Sequence, residues 1–184
     1  MTSPNEPEIL AALRERFGFE RFRPGQGEAI AALLNGARVL VIQPTGHGKS
    51  LLYQLPASLL PGLTLVISPL LALMRDQLGH LKHRFGIAAA SLNTDQTDEE
   101  NDAARAAALA GQLKILFVAP EQLDNLHTQA LLARLAVDLL VVDEAHCIST
   151  WGHDFRPSYR QIVRAVRAFS QRRPQLRVLG LTAT

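Results

Sequence analysis

The sequence predicts an α/β fold, a parallel sheet with helices on both faces. Short apolar runs alternate with segments of helical periodicity along most of the chain. The runs are continuous rather than alternating polar and apolar, as expected of strands covered on both sides. With 184 residues, 47% apolar and 20% charged, the chain has the size and composition of one domain with its own core.

The elements follow in order. Pro4 to Arg16 reads as a helix, with Ile9, Leu10 and Leu13 on one stripe and Gly18 as its stop. Pro24 to Leu34 reads as a second helix, with proline in its first turn and Gly36 past its end. Val39 to Ile42 is a short apolar strand. Strands are expected next at Leu63 to Ile67, Ala88 to Leu92, Ile115 to Val118, Leu139 to Val142 and Val178 to Leu181. Helices are expected between them at Leu70 to Leu81, Asp98 to Ala110 and Glu121 to Leu135. The acidic stretch Asp95 to Asp102 reads as a solvated turn entering a helix.

Bulk properties narrow the function classes only a little. No apolar run reaches the ~18 residues that span a bilayer, and Met1 to Glu8 carries no signal-peptide pattern. A cytoplasmic protein without a membrane partner is the expectation. The net charge of +2 does not by itself point to nucleic acid. Cys147 is the single cysteine, so a zinc cluster with His146 and His153 lacks its usual ligand set.

Chemistry enters at two strand ends. The strand Val39 to Ile42 runs into Gln43-Pro-Thr-Gly-His-Gly-Lys-Ser50, and a helix follows from Lys49. This is a phosphate loop in its proper context. Gly46 and Gly48 let backbone N–H groups face an anion, Lys49 reaches terminal phosphates, and Ser50 offers a hydroxyl to magnesium. The helix adds its positive end. The strict pattern has glycine where Gln43 stands, so the loop is a variant. The second strand end is Leu139 to Val142 followed by Asp143-Glu-Ala-His146. Carboxylates at the carboxyl edge of a parallel sheet lie where such folds bind ligands. Asp143 would hold magnesium and Glu144 would polarise the attacking water. The cofactors implied are ATP and Mg.

Further segments resemble one family. Phe17-Gly-Phe-Glu-Arg-Phe-Arg-Pro-Gly-Gln26 resembles the segment that RecQ helicases place ahead of the phosphate loop, here the helical stretch 5–36. Val66-Ile-Ser-Pro-Leu-Leu-Ala-Leu-Met-Arg-Asp-Gln77 resembles their motif Ia. Leu116-Phe-Val-Ala-Pro-Glu-Gln-Leu123 resembles motif Ib, and Asp143-Glu-Ala-His146 resembles motif II. Trp151-Gly-His-Asp-Phe-Arg-Pro-Ser-Tyr159 resembles their aromatic-rich loop, and Gly180-Leu-Thr-Ala-Thr184 resembles motif III. The motifs keep the family's order from Phe17 to Thr184.

The resemblance implies a RecA-like first motor lobe of an ATP-dependent DNA helicase, with 3'-5' unwinding and roles in DNA repair and recombination. It implies that Arg23 and Gln26 meet the adenine end of ATP and that Phe19 stacks on the base, although Phe17, Phe19 and Phe22 could equally be core. Thr45, Gly46, His47, Gly48, Lys49, Ser50 and Leu51 would surround the phosphates, with Lys49, Asp143 and Glu144 catalytic. Ser68 and Arg75 would touch the DNA backbone. Trp151, His153, Phe155 and Arg156 would sense single-stranded DNA, and Thr182 and Thr184 would couple to a second lobe. The partners implied are single-stranded and partly duplex DNA, and the chain is expected to be a monomer. His47 stands where these loops usually carry glycine or alanine. The expectation is also that the second lobe, and the zinc-binding and winged-helix modules usual in the family, lie outside this chain, which then binds ATP and does not unwind alone. Two other functions remain open, a nucleotide-binding module without useful turnover and an RNA helicase lobe.

Overall fold

The structure is a computed structural model that describes residues 4–44, 46–146 and 157–183. Thr45, Cys147, Trp151, His153, Phe155, Arg156 and Thr184 lie outside the described residues.

The described chain runs α1 (Glu6–Phe17), α2 (Gln26–Leu34), β1 (Arg38–Ile42), α3 (Leu51–Leu59), β2 (Leu63–Ile67), α4 (Leu71–His83), β3 (Ala89–Leu92), α5 (Asp98–Leu109) and β4 (Ile115–Val118). A 3-10 turn at Pro120–Asp124 follows, then α6 (Leu126–Arg134), β5 (Val137–Val142), α7 (Pro157–Arg172) and β6 (Arg177–Thr182). The six strands form one sheet in the order β1-β6-β5-β2-β4-β3. Every pairing is parallel, as the continuous apolar runs predict.

Alternation along each strand splits the core into two layers. On β5, Leu139 and Val141 join a cluster with Leu13, Ile30, Leu33, Leu52 and Met74 from α1 to α4. Leu140 and Val142 join the opposite cluster with Ala104, Leu131, Ile162 and Phe169 from α5, α6 and α7. Period-two alternation sends successive side chains to opposite faces, and at β5 both faces are covered by helices.

Local chemistry sets the boundaries. α1 begins at a capping box, in which the Asn5 side chain accepts from the Glu8 N–H and the Glu8 carboxylate accepts from the Asn5 N–H. Gly18 ends the helix at φ 72°, a conformation that costs glycine little. Three expected boundaries shift. Pro24 stays outside α2, because Gly25 takes a left-handed conformation at the N-cap and the helix starts at Gln26. Ser50 is the N-cap of α3, so Lys49 belongs to the preceding turn. The single helix expected from Glu121 to Leu135 is broken at Asn125, whose extended backbone and side-chain cap start α6 anew.

α7 has no counterpart among the expected elements. Its apolar signal is thin, resting on Ile162, Val166 and Phe169 at i, i+4, i+7, and arginines occupy much of the remaining surface.

Candidate functional site

Strand register assembles the site. Ile42 at the end of β1 pairs with Thr182 at the end of β6. Val142 at the end of β5 pairs with Gly180 on one side and with Ile67 at the end of β2 on the other. Four carboxyl ends therefore meet on one edge, and the phosphate loop, the acidic pair, Ser68 and Thr182 share it. That edge is the ligand edge of open parallel sheets.

The phosphate loop turns at two glycines, Gly46 at φ 83° and Gly48 at φ 80°. A side chain at Gly48 would also collide with Gln26, since a Cβ there would lie 2.9 Å from its Nε2. The segment ahead of α2 grips the loop from outside. Arg23 donates to the Gly46 carbonyl at 2.9 Å, and the Gln26 amide donates to the Gly48 carbonyl at 3.2 Å and the His47 carbonyl at 3.4 Å. The Gln26 amide oxygen in turn accepts from the Arg23 N–H at 2.9 Å. Lys49 donates through Nζ to the Gln43 carbonyl at 3.0 Å. The imidazole of His47 is on the exposed side of the loop.

Beside the loop is a cavity of about 230 Å³. Of the residues expected to meet the nucleotide, Phe19, Arg23, Gln26, Gly48, Ser50 and Leu51 line it. Phe17 and Phe19, equivalent in sequence, separate here. Phe17 is buried and packs on Phe85 with ring centroids 4.8 Å apart. Phe19 is 40% exposed, with the Arg84 guanidinium 5.9 Å from its ring centroid. Arg21, Gln54, Gln77, His80, Arg84 and Phe85 complete the wall, and sequence reasoning missed all six as residues of this cavity. Gln54 donates to the Gln77 side-chain oxygen at 2.6 Å, and the Tyr53 hydroxyl lies 3.4 Å from the same oxygen. The helix after the phosphate loop is thereby tied to α4. Burial, and secondarily the charge of Asp143, push the Tyr53 hydroxyl far up, so it stays a neutral phenol.

At the acidic end, Asp143 is fixed by two donors. Ser68 Oγ donates to Oδ2 at 3.2 Å, and the Glu144 N–H donates to Oδ1 at 3.0 Å. Burial and then the neighbouring Glu144 charge raise the Asp143 pKa, against the smaller opposing effects of these donors and of the Lys49 charge. Glu144 has a positive φ of 51°, which is uncommon for a residue with a side chain. His146 Nδ1 lies 3.2 Å from Glu144 Oε2 and 3.0 Å from Thr182 Oγ1. It bridges the acidic turn to the end of β6.

The two residues expected at a DNA backbone differ in exposure. Ser68 is only 2% exposed and spends its hydroxyl on Asp143, so it belongs to the acidic centre rather than to an outer surface. Arg75 is exposed, but its guanidinium pairs with Asp95 at 2.6 Å.

The donor set fits a hard divalent cation. Ser50 starts α3 without spending its hydroxyl on a capping bond, and Asp143 carries a carboxylate that burial and Glu144 both penalise. Oxygen ligands with unbalanced negative charge suit magnesium beside phosphate.

Comparison with known proteins agrees with this geometry. The DEAD/DEAH box helicase family matches residues 23–184. The chain belongs to that family. It is 45% identical over 179 residues to the ATP-dependent DNA helicase RecQ of Haemophilus influenzae, covering 97% of this chain and 28% of that protein. It is 42% identical over 173 residues to RecQ of Bacillus subtilis, covering 94% of this chain and 29% of that one. The chain thus spans under a third of the length of these curated relatives. The helicase Lhr of Mycobacterium smegmatis, solved with ssDNA and AMP-PNP, superposes with a TM-score of 0.71 at 26% identity, over 95% of this chain and 24% of that one.

Proposed function

We propose that this chain is the ATP-binding lobe of a RecQ-type DNA helicase. The observation that carries the reading is the shared edge, where strand register sets the Gly46–Ser50 turn beside Asp143 and Glu144, with a base-sized cavity next to Gln26.

The residues divide the work as follows. Phe19 and Gln26 hold the base, the first by its face and the second by an amide that both donates and accepts. Lys49 leaves the Gln43 carbonyl and turns its charge to the terminal phosphates, where a charge-assisted contact is worth more than a neutral one. Ser50 and Asp143 would hold magnesium, which when bound would supply charge neutralisation at the phosphates. Glu144 orients the attacking water and takes its proton, and His146 holds Glu144 in place. Because His146 also meets Thr182, a shift at β6 is felt at the general base. Single-stranded DNA is the favoured polymer, in keeping with the nucleic acid in the Lhr structure. A second lobe facing this edge would supply the positive charge that such phosphoryl chemistry needs in its transition state, an effect worth roughly 10³–10⁵ in rate.

The decisive experiment pairs two variants. Lys49→Ala should weaken ATP binding about 10- to 150-fold, the loss of one charge-assisted contact of roughly 1.5–3 kcal/mol. Glu144→Gln should leave that affinity intact and lower single-turnover hydrolysis about 10²–10⁴-fold. Calorimetric titration reads the first and phosphate release, with and without single-stranded DNA, reads the second. An unchanged affinity for Lys49→Ala, or lost binding in Glu144→Gln, defeats the assignment.

A further inference from the structure

We infer that the outward face of α7 is a contact for the nucleic-acid phosphate backbone, separate from the nucleotide edge. The inference rests on the DNA-helicase reading and extends it to a surface which that reading does not use.

α7 carries four arginines, Arg160, Arg164, Arg167 and Arg172, and no acidic residue. The helix alone exceeds the chain's net charge of +2, so the modest total conceals a strong local segregation. At 3.6 residues per turn, Arg160, Arg164 and Arg167 fall on one stripe, opposite the buried Ile162 and Phe169. All three are exposed. Arg164 and Arg167 make no ion pair or hydrogen bond among the described residues.

An ordinary solvated helix face mixes signs. This face works against folding, because Arg164 and Arg167 are spaced i, i+3, where like charges repel. No carboxylate on α7 relieves that repulsion. An external anion at Arg164 and Arg167 relieves it.

Position and shape favour a polyanion over a single carboxylate. α7 follows the acidic turn and runs back to the start of β6. Its Arg160 end is therefore at the carboxyl edge of the sheet, and the helix packs against the Pro120–Asp124 turn that follows β4. The stripe leads from that edge down the flank of the domain. Arg160 to Arg167 spans about 10 Å of helix, comparable to the axial rise of three nucleotide steps along one strand at about 3.4 Å each. Guanidinium forks match phosphate oxygens two at a time. The neighbouring groove of about 380 Å³, with Arg164 and Arg172 at its rim and Leu132, Ala165 and Phe169 within, would fit an acidic, partly apolar peptide. It takes in only one arginine of the stripe, so the stripe is better explained by nucleic acid.

The test compares the 184-residue chain with its Arg164→Ala/Arg167→Ala variant, using fluorescence anisotropy of labelled oligo-dT and of a short duplex over a salt series. Loss of two phosphate contacts should make the slope of log affinity against log salt shallower by about 1.4 for the single strand and about 1.8 for the duplex. Affinity should fall about 25- to 60-fold near 0.1 M salt, with the gap closing towards 1 M. Arg164→Lys/Arg167→Lys should keep the wild-type slope. ATP affinity should match wild type in both variants, which shows that the fold is intact. DNA binding by wild type with the same slope in the alanine variant overturns the stripe and leaves the helicase reading standing. ATP binding without any DNA binding by wild type overturns both. Arginine-dependent capture of an acidic, phenylalanine-containing peptide, with DNA affinity unchanged, makes the face a protein dock and overturns the proposal.

Discussion

Strands β1 and β5 each bring half of the chemistry to the site, yet they are held very differently. β5 lies inside the sheet between β6 and β2, and Leu139, Leu140, Val141 and Val142 are all buried. β1 is an edge strand paired only with β6. Its inner residues Val39 and Val41 pack on the core, while Leu40 and Ile42 are 64% and 63% exposed. The carboxylates therefore stand on a rigid wall and the phosphate loop on a softer one. This suits the roles proposed for them. A magnesium carboxylate and a general base must be fixed in advance, whereas Lys49 must release the Gln43 carbonyl before it can meet a phosphate.

The largest expected effect tests that contrast directly. Leu140→Ala removes a fully buried side chain from β5 and should cost about 2–5 kcal/mol. Leu40→Ala on β1 should cost under about 0.5 kcal/mol. Urea unfolding of the two variants measures both, and equal losses would erase the distinction between the walls.

A smaller effect concerns the segment that grips the loop. Gln26→Ala removes donors to the Gly48 and His47 carbonyls and, in the role proposed for it, a partner for the base. Hydrogen bonds of this kind are worth roughly 0.5–1.5 kcal/mol each, so the preference for ATP over GTP should fall about 2- to 12-fold. Competition between the two nucleotides in wild type and variant measures it. An unchanged ratio would mean that Gln26 serves the loop alone.

The smallest effect is on the rigid wall. Because the folded pKa of Asp143 is raised, the folded state holds its proton more tightly than the unfolded chain does. The stabilising share of the protonated form is full below the ordinary aspartate pKa and is lost as pH climbs through the raised folded value. At neutral pH the charge is a standing cost. Asp143→Asn should therefore raise Tm slightly in metal-free buffer, flatten the stability slope in that acidic window, and abolish the extra stabilisation that Mg-ATP gives over ATP alone. Differential scanning calorimetry over a pH series reads all three, and a lower Tm in the variant would contradict the direction of the shift.

The legibility of the molecule follows the range of the forces that shape it. Parallel strands were readable because each is a local apolar run, and their observed bounds differ from the expected ones by no more than two residues. The phosphate loop and the acidic pair were readable because a turn, a lysine and a strand-end carboxylate act within a few residues of one another. α7 escaped because arginines dilute its apolar period. Gln77, His80 and Arg84 escaped as wall residues because an isolated α4 offers no reason to aim them at α2 and α3.

By itself the sequence determined the fold class, the turn at Gly46 and Gly48, and the order of strand, loop and helix. These depend on periodicity and on backbone conformations that glycine alone adopts at little cost. Only the tertiary structure decided which neighbours those pieces meet. It separated Phe17 from Phe19, turned Ser68 inward to Asp143, hung His146 between Glu144 and Thr182, and left one face of β1 open. The Ser68–Asp143 and His146–Thr182 contacts join residues tens of positions apart, and they exist only because the register of a parallel sheet brings four strand ends to a single edge.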